Sequence, residues 1–383
     1  MEILIYSIPF ITALFLLIVF NKKMVWWEYV VLILPSILFA LLMQIIMVSV
    51  NAQDTEYLGG YVTRITYYEP WDEMVRVSHT RRVPCGRDSK GNTIYRTETY
   101  YTWERKYHSE KYTYMDNESG WEHHLSKNQY EAIKKRLGDN SVFRDMNRNY
   151  HRIDGDAYDI FWDKTIEKLY DITTEHSYKN KIKSSHSHTI FKHINISKEE
   201  ADSLGLYEYP PIKIMNQNPI IGKNLPDKDI QRIKYINAIY GKTKQFRTYI
   251  LIYENKDIEI SELQKSYWQN GNKNEFIVCL GVIRDSVVWS NAFSWCDEPK
   301  LEVLTRDYFI NNPKLNIDEY GKWLQTQMPK WERKEFEDFD YISIDLSRGQ
   351  YITLFIIMAI INIIVAILLI KNDITNEKKT KFL

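Results

Sequence analysis

Apolar residues are distributed in two ways along this chain. Three long runs, at 3–20, 29–50 and 351–370, flank a polar middle in which apolar positions recur at short periods. A helix rises about 1.5 Å per residue, so roughly 20 apolar residues cross a hydrocarbon layer about 30 Å thick. All three runs approach that length, and nothing between 51 and 350 does. The pattern predicts a transmembrane helix hairpin over 1–50, a third transmembrane helix over 350–371 and a basic tail over 372–383. Pro35 should kink the second helix. Ser36 and Asn362 come to similar depths, which allows a bond between them or a bond from each to its own helix backbone.

Lys and Arg near the ends of the spans mark the cytoplasmic side. Lys22 and Lys23 lie in the first turn, and Lys371, Lys378, Lys379 and Lys381 follow the third span. The opposite flanks carry only Arg64 and Arg348 within reach. The expected product is a multi-pass integral membrane protein with its amino terminus and body outside the cytoplasm and its tail inside. Lys22, Lys23, Trp26, Trp27, Tyr351 and Lys371 are its expected membrane-interface residues. The start Met1-Glu2 lacks a basic residue and the lysines follow the first run, the reverse of a cleavable signal peptide.

The body changes period partway along. Over 51–225 the reading is β-rich, with strands at 57–68, 74–83, 93–107 and 111–115 separated by turn clusters at 85–92 and 116–120. Thr, Arg, Lys and Tyr dominate these strands, so they cannot bury two apolar faces; an antiparallel ribbon or thin sheet with one wet face is expected. A helix capped by Ser126 should run to Leu137, with Gly138 ending it. Further strands are expected at 157–162 and 166–173, with Gly59–Gly60 as a bend. A short capped helix at 197–204 should precede an irregular, proline-rich stretch at 206–224.

Over 226–345 helix and strand alternate: helices at 226–240, 261–268, 300–309 and 317–327, and strands at 246–253, 276–283 and 287–293. This order predicts a small α/β section, the only part whose apolar content suggests a conventional core. A tight turn at 283–286 would set Cys279 opposite Ser290 and Cys296 opposite Lys273, so no disulfide is expected within that hairpin. The fold class is therefore α+β and membrane-anchored: three transmembrane helices, an antiparallel β-rich section and a small α/β section.

The run Tyr267-Trp268-Gln269-Asn270-Gly271-Asn272-Lys273-Asn274-Glu275, followed by an apolar strand, a second strand and a helix, resembles the TPM-domain pattern over about 227–340. That resemblance implies a membrane-anchored extracytoplasmic α/β domain of a kind found in bacteria and thylakoids, some members of which are phosphatases. No acidic cluster here matches a metal site of that family, so no catalytic residue is carried over. The turn Pro84-Cys85-Gly86 with Gly91-Asn92-Thr93 and Thr97-Glu98-Thr99-Tyr100 is similar to uncharacterised membrane-anchored proteins of bacteria and phages, a likeness that implies no activity.

Fifty acidic and fifty basic side chains balance, which argues against nucleic acid as a partner. Of three cysteines, Cys279 reads as a buried hydrophobe, and Cys296 beside Asp297 as structural, since a carboxylate raises a thiol pKa. His151, Asp154, Asp156 and Asp159 are the nearest approach to a metal motif, but Asp154-Gly155-Asp156 also reads as a turn before a strand. His123–His124 and His186-Ser187-His188 read as solvated loop or strand residues. No cofactor is expected. Tyr67, Tyr68 and Trp71 lie on candidate strands near that of Tyr100, Tyr101 and Trp103; if those strands pair, an aromatic patch flanked by Arg64, Arg76, Arg81 and Arg105 results.

The expected partners are the lipid bilayer and either another protein or a second copy of the chain. The functional expectation is an interaction, scaffold or sensor component of the cell envelope. The alternative is an extracytoplasmic, phosphatase-like hydrolase using the α/β section. Transport is the poorest reading, because spans with so few ionisable residues offer no pathway within one copy.

Overall fold

The computed structural model describes residues 2–20, 25–146, 154–184, 196–295, 300–335, 337, 342, 344 and 346–372. In chain order the elements begin with α1 (Glu2–Phe20), α2 (Trp26–Asn51), β1 (Gln53–Tyr68), β2 (Trp71–Arg87), β3 (Thr93–His108), β4 (Lys111–Asp116) and β5 (Glu122–His124). Then come α3 (Lys127–Leu137), β6 (Ser141–Arg144), β7 (Ala157–Phe161), β8 (Asp171–Lys179), α4 (Lys181–Ser184), α5 (Lys198–Leu204) and β9 (Ile220–Ile221). The rest are α6 (Asp227–Lys244), β10 (Arg247–Glu254), α7 (Glu259–Tyr267), β11 (Glu275–Ile283), β12 (Ser286–Ser294), α8 (Lys300–Asn311), α9 (Ile317–Gln327) and α10 (Arg348–Asn372). Two compact units result: 1–56 with 176–193 and 335–383, and 57–175 with 194–334.

The first unit holds α1, α2 and α10, each long and apolar enough to cross a membrane. Ile5, Ile8, Ala40, Leu354 and Met358 meet at one end of this bundle, and Ala13, Leu16, Leu32, Ala366 and Leu369 at the other. That pairing makes α1 and α10 run in the same direction and α2 against them. Their outward side chains, such as Phe10, Ile18, Leu38 and Ile363, are exposed apolar groups. Both expected bonding modes occur together: Ser36 Oγ reaches Asn362 Oδ1 at 3.3 Å and Leu32 O at 2.7 Å, while Asn362 Nδ2 donates to Met358 O. Asn51 and Gln350 exchange amide hydrogen bonds of 3.0 and 2.7 Å, joining the end of α2 to the start of α10. Trp26 is exposed, Trp27 and Tyr351 are half-buried and Lys371 is exposed; Lys22 and Lys23 lie outside the described residues.

The second unit contains two sheets and a ribbon. In the first sheet the order is β5-β4-β1-β7-β6, with β8 also beside β1. Ser126 caps α3 through Gln129, and the helix lays Tyr130, Ile133 and Leu137 on Val62, Ile65, Tyr112 and Ile160. A real core therefore exists in the β-rich section, contrary to expectation; tyrosine rings supply the area that aliphatic side chains would normally provide. Residues 166–168 turn, and the strand expected there starts only at Asp171. Gly59 and Gly60 are extended residues of β1 and not a bend. Gly59 instead lets β1 touch α6: a Cβ on it would overlap Asn237 O, and one on Gly241 would overlap Gly59 O.

The second sheet runs β12-β11-β10-β9, with β10 parallel to β9 and β11, and β11 antiparallel to β12. Alternate residues serve opposite faces. Ile250, Ile252, Phe276 and Val278 meet α6 and α9 through Ile236, Tyr320 and Leu324. Tyr249, Leu251, Tyr253 and Cys279 meet α5, α7 and Trp268 on the reverse. Burial on both faces is why these strands read as unbroken apolar runs. One register expectation fails: Cys279 stands opposite Asn291, because a bulge beside Gly281 shifts the ladder by one residue. Cys279 is buried and free, and Cys296 lies outside the described residues. The helix expected from Ser261 begins earlier, at Glu259, with the Ser261 hydroxyl turned back onto Ile258 O.

Candidate functional site

β2 and β3 pair with each other from Trp71↔His108 to Arg87↔Thr93, interrupted by one bulge between Pro84 and Gly86. At roughly 3.3 Å per residue the ribbon is about 50 Å long. No other described element packs along it. Trp71 and His108 stack at its base, 4.4 Å between centroids. At its tip Asp88 accepts from the backbone and side-chain N–H of Asn92 and from Lys90 N, which holds that carboxyl below the usual carboxylate range.

Directly opposed residues share a face, so the register sorts the ribbon into two. One face carries Glu73, Val75, Val77, His79, Arg81 and Val83 of β2 against Arg96, Glu98, Tyr100, Thr102, Glu104 and Lys106 of β3. Here Arg81 pairs with Glu98 at 3.0 Å and Lys106 with Glu73 at 3.7 Å, the imidazoles of His79 and His108 lie on Glu104 and Glu73, and Arg96 has no ion pair among the described residues. The other face carries Met74, Arg76 and Arg82 of β2 and Tyr95, Tyr101, Trp103, Arg105 and Tyr107 of β3. Every large apolar side chain on this second face is exposed, Trp103 and Tyr107 at 66 %. The Arg76 guanidinium lies 3.8 Å over the Tyr101 ring. Arg105 donates to Asp72, the one carboxylate on that face, and holds it below the usual range.

The single aromatic patch expected from the sequence is therefore two separate places. Tyr67 packs with Tyr112, Tyr130 and Tyr158 in the sheet core, and Tyr68 is buried with its hydroxyl on Glu122. Tyr100, Tyr101 and Trp103 stand on the ribbon, and Tyr100 takes the face opposite to the other two. The reason is topological: β2 and β3 leave as a hairpin, so β1 pairs with β4 and β7 and never with β3. Arg64 belongs to the sheet, bonding Glu122, while Arg76 and Arg105 remain on the exposed face.

The acidic candidates also separate. Asp154 faces Lys111 at 3.3 Å, and Asp156 Oδ1 accepts from Met146 N. Asp159 is buried; burial pushes its carboxyl up, but Arg144, Thr66 and Arg64 outweigh that and hold it below the usual range. Gly155 presses on Glu69, where a Cβ would overlap the carbonyl, so the segment is a packed turn before β7. His151 lies outside the described residues, as do His186 and His188; no metal-competent group of three ligands occurs among the described residues. His123 sits 3.2 Å from Asp116 on β5.

Two further polar features belong to the body. At the start of β10 and β11, Arg247 is wholly buried beside Glu275; its Nη2 bonds Tyr249, while Nε and Nη1 have no hydrogen-bond partner among the described residues. Burial pushes the Glu275 carboxyl up, and Tyr209 donates to it. A cavity of about 430 Å³ opens beside β9, lined by Pro210, Lys213, Gln217, Asn218, Lys223 and Asn224 among others, with no carboxylate.

Met74, Arg82, Tyr95 and Tyr107 join the exposed face without having been picked out in the sequence. The signal was present: odd positions of β3 read Tyr95, Thr97, Thr99, Tyr101, Trp103, Arg105, Tyr107, while nearly all its charges fall on even positions. Comparison with known proteins adds nothing to this geometry: no protein-family profile, curated protein or solved structure matches the chain. The TPM resemblance thus rests on its own residues.

Proposed function

We propose that this chain is a membrane-anchored interaction protein of the cell envelope, with its body outside the cytoplasm and the β2–β3 ribbon as its contact element. One observation carries the reading: a ribbon about 50 Å long exposes Met74, Tyr95, Tyr101, Trp103 and Tyr107, and no described element covers them. Large exposed apolar side chains gathered on one face mark a contact site, and Tyr, Trp, Met and Arg are the residues enriched in protein interfaces. An isolated two-stranded hairpin is marginal in water, so a partner would also steady it.

Photo-crosslinking in intact cells tests the contact. A benzophenone amino acid at Trp103 should give a discrete protein adduct, and its absence at Trp103, Tyr101 and Tyr107 alike would end the reading. Location is read from Cys85, which is exposed on the ribbon while Cys279 is buried. In a Cys296→Ser background, a membrane-impermeant maleimide should label intact cells, and Cys85→Ser should remove the label. Labelling only after lysis would place the body inside.

The hydrolase reading has one observation in its favour, the cavity beside β9. Its lining offers Lys213, Lys223 and amides but no carboxylate. Phosphate-ester turnover by the full chain that is lost in Lys213→Ala or Lys223→Ala would restore it.

A further inference from the structure

The two ribbon faces differ in how their charges are settled, and this points to the chemistry of the partner. On the Glu73–Glu98–Glu104 face three carboxylates stand with Arg81, Arg96 and Lys106, so the formal charges balance, and Arg81 and Lys106 are ion-paired with Glu98 and Glu73. On the tyrosine face stand three arginines and one aspartate. Arg105 and Asp72 satisfy each other, leaving Arg76 and Arg82 with no ion pair among the described residues. That face therefore presents two uncompensated guanidinium groups among four exposed rings and a methionine. It carries no lysine.

We infer that the tyrosine–arginine face receives an acidic, ring-bearing segment of another protein, with Arg76 and Arg82 pairing its carboxylates and Tyr101 and Trp103 as apolar anchors. This rests on the interaction reading given above and names its partner's chemistry. Three features of the face select this occupant. Guanidinium forks match carboxylates bidentately, and Arg with Tyr, Trp and Met is the composition of interface centres. A second copy placed face to face would offer Arg76 and Arg82 no free carboxylate, because the face's one aspartate is already paired with Arg105. Anionic bilayers are commonly met by clustered lysine as well as arginine on an amphipathic helix or juxtamembrane segment, and this face is a lysine-free strand pair.

The test pans a phage-displayed library of random 12-residue peptides against the full chain held in a lipid nanodisc. Enriched peptides should be net acidic and contain an aromatic residue. Their affinity should fall at least tenfold in Arg76→Glu/Arg82→Glu and several-fold in the milder Arg76→Gln/Arg82→Gln, which guards against a folding defect. Arg81→Gln/Glu98→Gln, on the opposite face, should leave it unchanged. Enrichment of peptides without acidic bias, or binding indifferent to both arginine variants, would overturn the inference. So would capture of phosphatidylglycerol vesicles, or self-association in sedimentation, that the arginine variants abolish. If the crosslink at Trp103 persists in Arg76→Glu/Arg82→Glu, the interaction reading survives and only the acidic partner is lost.

Discussion

The ribbon and the β10–β11 pair are both long strand pairs rich in aromatic and β-branched residues, yet they solve opposite problems. Every residue of β10 except Glu254 is buried, whereas β2 buries only Trp71. In the sheet, side chains on both faces meet helices, and apolar area removed from water supplies the stability. In the ribbon only cross-strand pairs are available, each contributing about 0.2–1 kcal/mol. Rings in the first case are structural mass; in the second they are free surface. A Tyr or Trp in a strand therefore says little about function until the register shows what lies above it.

Substitutions can break that contrast. Phe276→Ala, in the sheet core, should cost about 3–5 kcal/mol, read as a large fall in thermal midpoint in detergent. A loss under about 1 kcal/mol would mean the sheet is not the stabilising centre. Next comes the buried pair Asp171–Lys234, 3.6 Å apart, where desolvation pushes the carboxyl up and the ammonium down. Lys234→Met should cost about 3 kcal/mol by leaving Asp171 unpaired, and adding Asp171→Leu should recover most of it.

Asp318 gives a smaller, pH-dependent effect. Burial pushes its carboxyl up, but Lys228, Arg232 and Lys322 prevail and hold it down to about 2. Its folded value is below the ordinary one, so it stabilises fully above about pH 4 and loses that contribution as pH falls to about 2. The loss is on the order of 2 kcal/mol and should vanish in Asp318→Asn. Asp171 acts in the opposite sense: with its carboxyl pushed up, it costs stability as pH climbs past the ordinary carboxylate range. Smallest of all, Trp103→Ala should change stability by less than about 0.5 kcal/mol while weakening the adduct formed from a benzophenone amino acid at Tyr107. A large stability loss there would mean the ribbon is covered.

How far the sequence could be read followed the same division. Where burial is two-sided or helical, periodicity sufficed: the alternation of 226–345, the Ser126 cap and the three apolar runs all reappear in the fold. Where packing is set by topology it did not. Nothing local says that β1 skips β2 and β3 to pair with β4 and β7, so Tyr67 and Trp103 were placed together. The bulge beside Gly281 and the Gly59–Gly241 contact arise from partners distant in the chain, where single-residue propensity carries no information. The ribbon's two faces were legible in β3 by parity alone, and became informative only once β2 was known to lie opposite.

The amide clasp between Asn51 and Gln350 ties together the points where the polypeptide leaves α2 and enters α10. Everything from β1 to α9 is thus a closed excursion between two hydrophobic stakes. A protease cutting once at the ribbon tip would liberate no soluble fragment, since each product retains a greasy helix. Releasing the polar body from both apolar helices demands two cleavages, one near either stake.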